Sequence, residues 1–205
     1  INDSFNDGAF VLLNTYNGWT TPQGSADFQT GLGRLACQEN QGSQNVFKFA
    51  WHTTPLSSPN NQADLVDVPP ESFSPFGAAC RGDGTATAYT ADNWSGAHRL
   101  FAIVSGSHVS LASTTSTAAS LLRLRVQALA STIKTDDAGS SWRQTVTNTT
   151  ISAGLRVGLY YFPVGQSSSN YRVAQGFYGL DFLPPTVTSN TASGTVGVGG
   201  TVQMT

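Results

Sequence analysis

Apolar residues along this chain fall in short runs with a period of two, separated by stretches rich in Gly, Pro, Ser, Asn and Asp. A period of two puts successive side chains on opposite faces, so these runs predict strands. In residues 45–54, Phe47, Phe49 and Trp51 share one face and Val46, Lys48 and Ala50 the other, which predicts a strand buried mainly on its aromatic side. Leu122, Leu124, Val126, Ala128 and Ala130 alternate with Arg123, Arg125, Gln127 and Leu129. That pattern predicts a half-buried strand, although its leucine and alanine content also permits a helix. Residues 98–113 divide at Ser105-Gly106-Ser107 into two strands or one bulged strand.

Residues 8–16, 145–152, 155–164 and 171–183 supply further strand candidates, with residues 166–170 as a hairpin loop. Residues 56–80 contain repeated prolines, which remove ladder donors, and predict a long loop or edge segment. About eight candidates predict an all-β fold: an antiparallel two-sheet sandwich, an eight-stranded jelly roll spanning residues 1–185. Residues 186–205 follow Pro184-Pro185, are Gly- and Thr-rich, and predict an extended C-terminal arm or edge strand.

Charged residues are only 11% of the 205, against ~25% in ordinary soluble domains. The 11 Phe, 6 Tyr and 4 Trp nevertheless supply the large apolar groups that a disordered chain lacks. A net charge of −2 with scattered basic residues argues against strong direct nucleic-acid binding by this domain. No apolar run is long enough for a membrane segment, and Ile1-Asn2-Asp3-Ser4-Phe5 lacks the pattern of a signal peptide. The chain is therefore expected to be cytosolic or already processed. Cys37 and Cys80 are compatible with one disulfide or with two thiols.

The common nucleophile, nucleotide and zinc-protease motifs are absent from the sequence. His52, His98 and His108 show no metal-ligand spacing, so no metal and no cofactor is expected. Glu39 and Glu71 are the only glutamates, and the aspartates lie mostly in turn contexts, so the chain is not expected to be an enzyme. Three features point to surfaces instead. Arg81-Gly82-Asp83 is the tripeptide that integrins recognise and, followed by Gly84, reads as a turn; Trp19, in Tyr16-Asn17-Gly18-Trp19-Thr20-Thr21-Pro22, reads as a loop tryptophan. Asn2, Asn93 and Asn148 head formal glycosylation sequons. Trp51 reads as core, whereas Trp94 and Trp142 begin strands.

Asp92-Asn93-Trp94-Ser95-Gly96-Ala97-His98-Arg99-Leu100-Phe101 resembles the start of a central jelly-roll strand in picorna-like virus capsid proteins. Tyr171-Arg172-Val173-Ala174 with Gly179-Leu180-Asp181-Phe182-Leu183-Pro184-Pro185 is similar to the closing strand of the same proteins. The resemblance implies a structural coat subunit, located in the virion, that assembles with other capsid subunits into an icosahedral shell, meets a host-cell receptor and lays its arm on a neighbour. The alternative is a secreted or cell-surface module: the receptor- or glycan-binding domain of a bacterial adhesin, with Trp19 and residues 56–80 as its contact surface.

Overall fold

The structure, a computed structural model, describes residues 1–5, 11–12, 18–22, 28–31, 34–38, 47–68, 75–116, 122–137, 141–162 and 171–182. Its strands are β1 (Asn2–Asp3), β2 (Val11–Leu12), β3 (Trp19–Thr20), β4 (Phe28–Gly31), β5 (Arg34–Gln38), β6 (Lys48–His52), β7 (Asn61–Val68), β8 (Phe76–Gly82) and β9 (Ala88–Trp94). They continue with β10 (Ala97–Val104), β11 (Ser107–Thr115), β12 (Leu122–Leu129), β13 (Thr132–Asp136), β14 (Gln144–Thr147), β15 (Arg156–Tyr161), β16 (Tyr171–Ala174) and β17 (Gly176–Asp181). No helix occurs among the described residues, and none is long and apolar enough to cross a membrane.

Two antiparallel sheets form a sandwich of jelly-roll type. One has six strands in the order β1-β17-β7-β12-β13-β14, and the other has seven in the order β11-β10-β9-β8-β15-β6-β3. A four-stranded sheet, β16-β5-β4-β2, adjoins them, so the strand number exceeds the eight expected. Between the two large sheets, Ala63, Leu65, Leu124, Val126, Ala128 and Phe177 of the first meet Ala50, Ala78, Tyr89, Ala91, Leu100, Ala102 and Leu159 of the second. All of these are at most 1% exposed, and each large side chain so buried contributes roughly 1.5–3 kcal/mol.

The alternation of residues 122–130 becomes β12, with Leu124, Val126 and Ala128 inward and Arg123, Arg125 and Gln127 outward. Ser105-Gly106 forms the turn between β10 and β11, and Ser95-Gly96 the turn between β9 and β10. In both turns the two central residues have positive φ, between 49° and 82°, as a two-residue hairpin turn matched to strand twist requires. Residues 56–80 are corrected: they hold β7, a central strand, and most of β8. The polar run Asn61-Gln62-Ala63-Asp64 hides that strand, because its outward residues are paired across the sheet. Gln62 meets Gln127 at 2.9 Å, and Asp64 meets Arg123 at 2.6 Å. Arg125 and Asp136 extend this ladder at 2.7 Å, which makes the outward face polar across β7, β12 and β13. The expected loop at 166–170 and the arm at 186–205 lie outside the described residues.

Candidate functional site

The outward face of the seven-stranded sheet is aromatic. Phe47, Phe49, Trp51, Phe101, Tyr160 and Phe162 gather there around Ala79, Ala88 and Ile103. Glycines on this sheet make room for the rings. Strand pairing sets Arg99, Asp92, Gly77, Tyr160 and Phe49 side by side across β10, β9, β8, β15 and β6. Gly77 presents no side chain between Asp92 and Tyr160, and the Tyr160 hydroxyl hydrogen-bonds the Asp92 carboxylate across it. In the next row Trp51 pairs with Gly158, and its indole lies where a Cβ on Gly82 would stand, at 2.2 Å. Its Nε1–H donates to Thr85 O at 2.9 Å, and its ring stacks on Phe49 at 4.9 Å.

Asp92 is fully buried and anchors the site. Arg99 grips it with both ends of its fork, Nε to Oδ1 at 2.7 Å and Nη2 to Oδ2 at 2.8 Å. Burial pushes the Asp92 carboxyl above its ordinary range despite the attraction of Arg99, and burial, with Asp92 beside it, holds the Tyr160 hydroxyl well above its own. The gripped guanidinium is clamped between aromatic faces, 4.6 Å from the Trp94 ring and 5.0 Å from that of Phe101. Its Nη1 has no hydrogen-bond partner among the described residues and remains a donor.

Trp94, Arg99, Phe101, Phe47, His108 and Phe162 line a pocket of about 140 Å³, with Tyr160 and Pro75 completing its wall. His108 is exposed and packs edge-on at 5.0 Å from Phe47 and 5.6 Å from Phe101. Half-buried Trp94 and Arg99 thus offer water an apolar ring beside a fixed cationic donor. Among the described residues no group of His, Cys, Asp or Glu is placed to hold a metal ion.

The residues singled out in the sequence lie elsewhere, and the exposure expected of Trp19 and Arg81 is corrected. Trp19 is 3% exposed: its indole sits on Phe5 and Phe177, at 6.0 and 5.0 Å, and donates to Asp3 Oδ2 at 2.6 Å. Arg81 is 2% exposed, and Gly82 is buried beneath Trp51. Asp83 is exposed, but its Oδ1 accepts from the Thr85 and Thr87 amides at 2.7 and 3.2 Å. Burial raises the Asp83 carboxyl, and the Thr85 and Thr87 hydrogen bonds outweigh it, so the net shift is downward. The tripeptide is thus a folded turn with its arginine inside. Asn93 is 4% exposed, and its amide donates to Ser116 and Asp137, which leaves no room for a glycan at that sequon. Cys80 is a free, buried thiol pushed up to about 12 by burial.

Reading the sequence missed the pocket because its residues come from separate strands. Residues 92–101 span the end of β9, the Ser95-Gly96 turn and the start of β10, which lies next to the edge of its sheet, and that hairpin supplies Asp92, Trp94, Arg99 and Phe101 to one surface. The alternating Phe47-Lys48-Phe49-Ala50-Trp51 and Tyr160-Tyr161-Phe162 are the signal that a second, aromatic face existed.

No protein-family model matches the chain, and no curated protein matches it in sequence. Among similar solved structures is the carbohydrate-binding module CBM66 from Bacillus subtilis, with a TM-score of 0.60 and 14% identity over 80% of this chain and 96% of that one. Another is GH43B of a Bacteroides ovatus xyloglucan locus, with a TM-score of 0.62 and 14% identity over 89% of this chain but only 39% of that one. The exoplasmic/lumenal domain of VIP36, in its metal-free form, matches with a TM-score of 0.56 and 11% identity over 81% of this chain and 85% of that one. The sandwich fold is thereby shared with these proteins. The capsid function, with its virion assembly and coat-subunit partners, is corrected: the similar structures named above are a carbohydrate-binding module, a GH43 protein and the VIP36 domain, not coat subunits.

Proposed function

We propose that the chain is a glycan-binding β-sandwich that holds its ligand in the pocket beside Trp94 and Arg99 without turning it over. The observation that carries the reading is the clamp itself: a guanidinium fixed by buried Asp92 and held against Trp94 and Phe101, with donors left over. A sugar ring has an apolar C–H face and an edge of hydroxyls. It can lie on an aromatic ring while its hydroxyls accept from a fixed donor. A volume of about 140 Å³ is below the ~300 Å³ of pockets for drug-sized ligands, and it suits one sugar unit at a time. A similar fold in a carbohydrate-binding module supports the same reading.

Binding without catalysis is favoured by the state of Asp92. Glycoside hydrolysis needs a pair of carboxyl groups roughly 5–9.5 Å apart, free to give and take protons. Asp92 has its oxygens engaged by Arg99 and Tyr160. On this reading the domain works where glycans are displayed or secreted.

The test is affinity electrophoresis against a panel of neutral polysaccharides, with Trp94→Ala as the comparison. Retardation by at least one glycan, weakened about tenfold or more by Trp94→Ala with little change in melting temperature, is the expected result. Equal retardation of both proteins would overturn the assignment of the pocket.

A further inference from the structure

The far end of β8 carries a second, chemically different feature. Gly77 pairs with Asp92 near the aromatic pocket, whereas Arg81 follows Cys80, which pairs with Tyr89 toward the other end of the same strands. Arg81 has a φ of 50°, a left-handed conformation that residues with a Cβ seldom adopt. Its backbone N–H donates to Asn61 Oδ1 at 2.7 Å, and its carbonyl is pressed by Gly154, where a Cβ would come within 2.3 Å. The side chain points inward: Nε donates to Pro59 O at 2.8 Å, and Nη1 to Ala130 O and Ile151 O at 2.7 and 3.0 Å.

These three acceptors are neutral carbonyls, and the neutral Tyr89 hydroxyl also hydrogen-bonds the Arg81 side chain, its ring 5.7 Å from the guanidinium. No carboxylate pairs with Arg81 among the described residues, whereas Asp64, Asp92, Asp136 and Asp137 each hold an arginine. The titratable neighbours do not balance it either. Burial holds the Cys80 thiol at about 12 and raises the Tyr89 hydroxyl, so both are neutral near pH 7. A guanidinium at 2% exposure with no counter-charge is costly, and such groups are normally paired. With the three carbonyls and the Tyr89 hydroxyl as neutral partners, the guanidinium still lacks a counter-charge among the described residues, and Arg81 lines a pocket of about 250 Å³. The same pocket is lined by Asn60, Ser131, Thr149 and Ser152. Asn60 Oδ1 is taken by the Ala130 amide at 2.7 Å, which leaves its NH₂ end as a donor.

We propose that this pocket is a second binding site, for a hydroxylated carboxylate with the chemistry of a uronic acid. The carboxylate pairs with the guanidinium of Arg81 and supplies the missing counter-charge, and the ligand's hydroxyls meet Asn60, Ser131, Thr149 and Ser152. The site stands apart from the aromatic pocket and does not depend on the reading of that pocket.

Isothermal titration of the full chain with D-glucuronate, glucose and acetate tests it. Saturable glucuronate binding at least tenfold tighter than that of either comparator is expected. Ser152→Glu, at an exposed rim position, places a tethered carboxylate at the guanidinium. It should abolish glucuronate binding with an unchanged or raised melting temperature, while Trp94→Ala should bind glucuronate normally. The proposal is overturned by the absence of glucuronate binding to the wild type, by glucose or acetate binding as tightly, by unchanged affinity in Ser152→Glu, or by loss of affinity in Trp94→Ala.

Discussion

The outward faces of the two sheets are built from opposite chemistry. On the six-stranded sheet the outward positions of β7, β12 and β13 include Gln62, Asp64, Arg123, Arg125, Gln127 and Asp136, paired across strands into a hydrogen-bonded ladder, with only Tyr178 and Leu180 of β17 as exposed large hydrophobics beside it among the described residues. On the seven-stranded sheet the corresponding positions are Phe49, Trp51, Phe101, Ile103 and Tyr160. An antiparallel sheet in a sandwich needs only one apolar face, the one that meets its partner. The ladder follows that economy. The aromatic face departs from it, so its composition calls for an explanation beyond holding the two sheets together. It also concentrates its polar groups in one clamp, Arg99 with Asp92, where the ladder spreads them along three strands.

Removing the largest ring from the aromatic face tests how far that face is also structural. Trp51→Ala should destabilise the fold by about 3–5 kcal/mol, the range for emptying a buried aromatic site. At ~2–4 °C per kcal/mol for a chain of this size, calorimetry would show a large fall in melting temperature. A small fall would mean that the face is a loose cover.

Filling the space beneath the ring is the next largest change. A Cβ on Gly158 would lie 2.1 Å from Ala50 O, a backbone atom, and 2.9 Å from the Trp51 ring. Gly158→Ala should therefore cost about 1–3 kcal/mol as strand β15 or β6 shifts, measured by urea denaturation. A neutral result would show that the close strand–ring packing is unimportant.

The smallest expected effect lies where the two sheets are tied together at one edge. His98 is fully buried, with Nδ1 at 2.7 Å from Asn93 Oδ1 on one sheet and Nε2 at 2.9 Å from Thr135 Oγ1 on the other. Burial lowers its pKa below the ordinary value of about 6.5, against the pull of Asp137 and Asp136. The unfolded chain then binds the proton more readily than the folded one, so this contribution is present above pH ~6.5 and is lost as the pH falls through the folded value. Melting temperature should fall on acidification below pH ~6.5, and less steeply in His98→Gln. Parallel curves for the two proteins would exclude His98 as a source of the slope.

Legibility in the sequence followed the same division between faces. Where one face was apolar and the other charged, as in β12, alternation alone marked the strand and its inward side. Where Ser-Gly pairs set a turn, the β10–β11 hairpin was readable. β7 was lost because buried Asn61, Gln62 and Asp64 look like loop residues until their partners on β8 and β12 are known. Trp19 was misplaced for a related reason: Tyr16-Asn17-Gly18 reads as a turn, and only the fold brings Phe5, Phe177 and Asp3 around the indole. The tripeptide at Arg81 suggested an exposed recognition turn, although a positive φ and three carbonyl acceptors hold the arginine inside. The aromatic pocket needed strands distant in sequence to be aligned, which no local pattern encodes.

The central claim is that the Trp94–Arg99 clamp binds a sugar. The chain has four tryptophans, so its indole N–H resonances form a small set that can be followed while a glycan that retards the protein is titrated in. The account predicts a saturable shift of the Trp94 signal, with Trp19 and Trp51, both buried, unmoved. A glycan that binds while Trp94 stays still would contradict it.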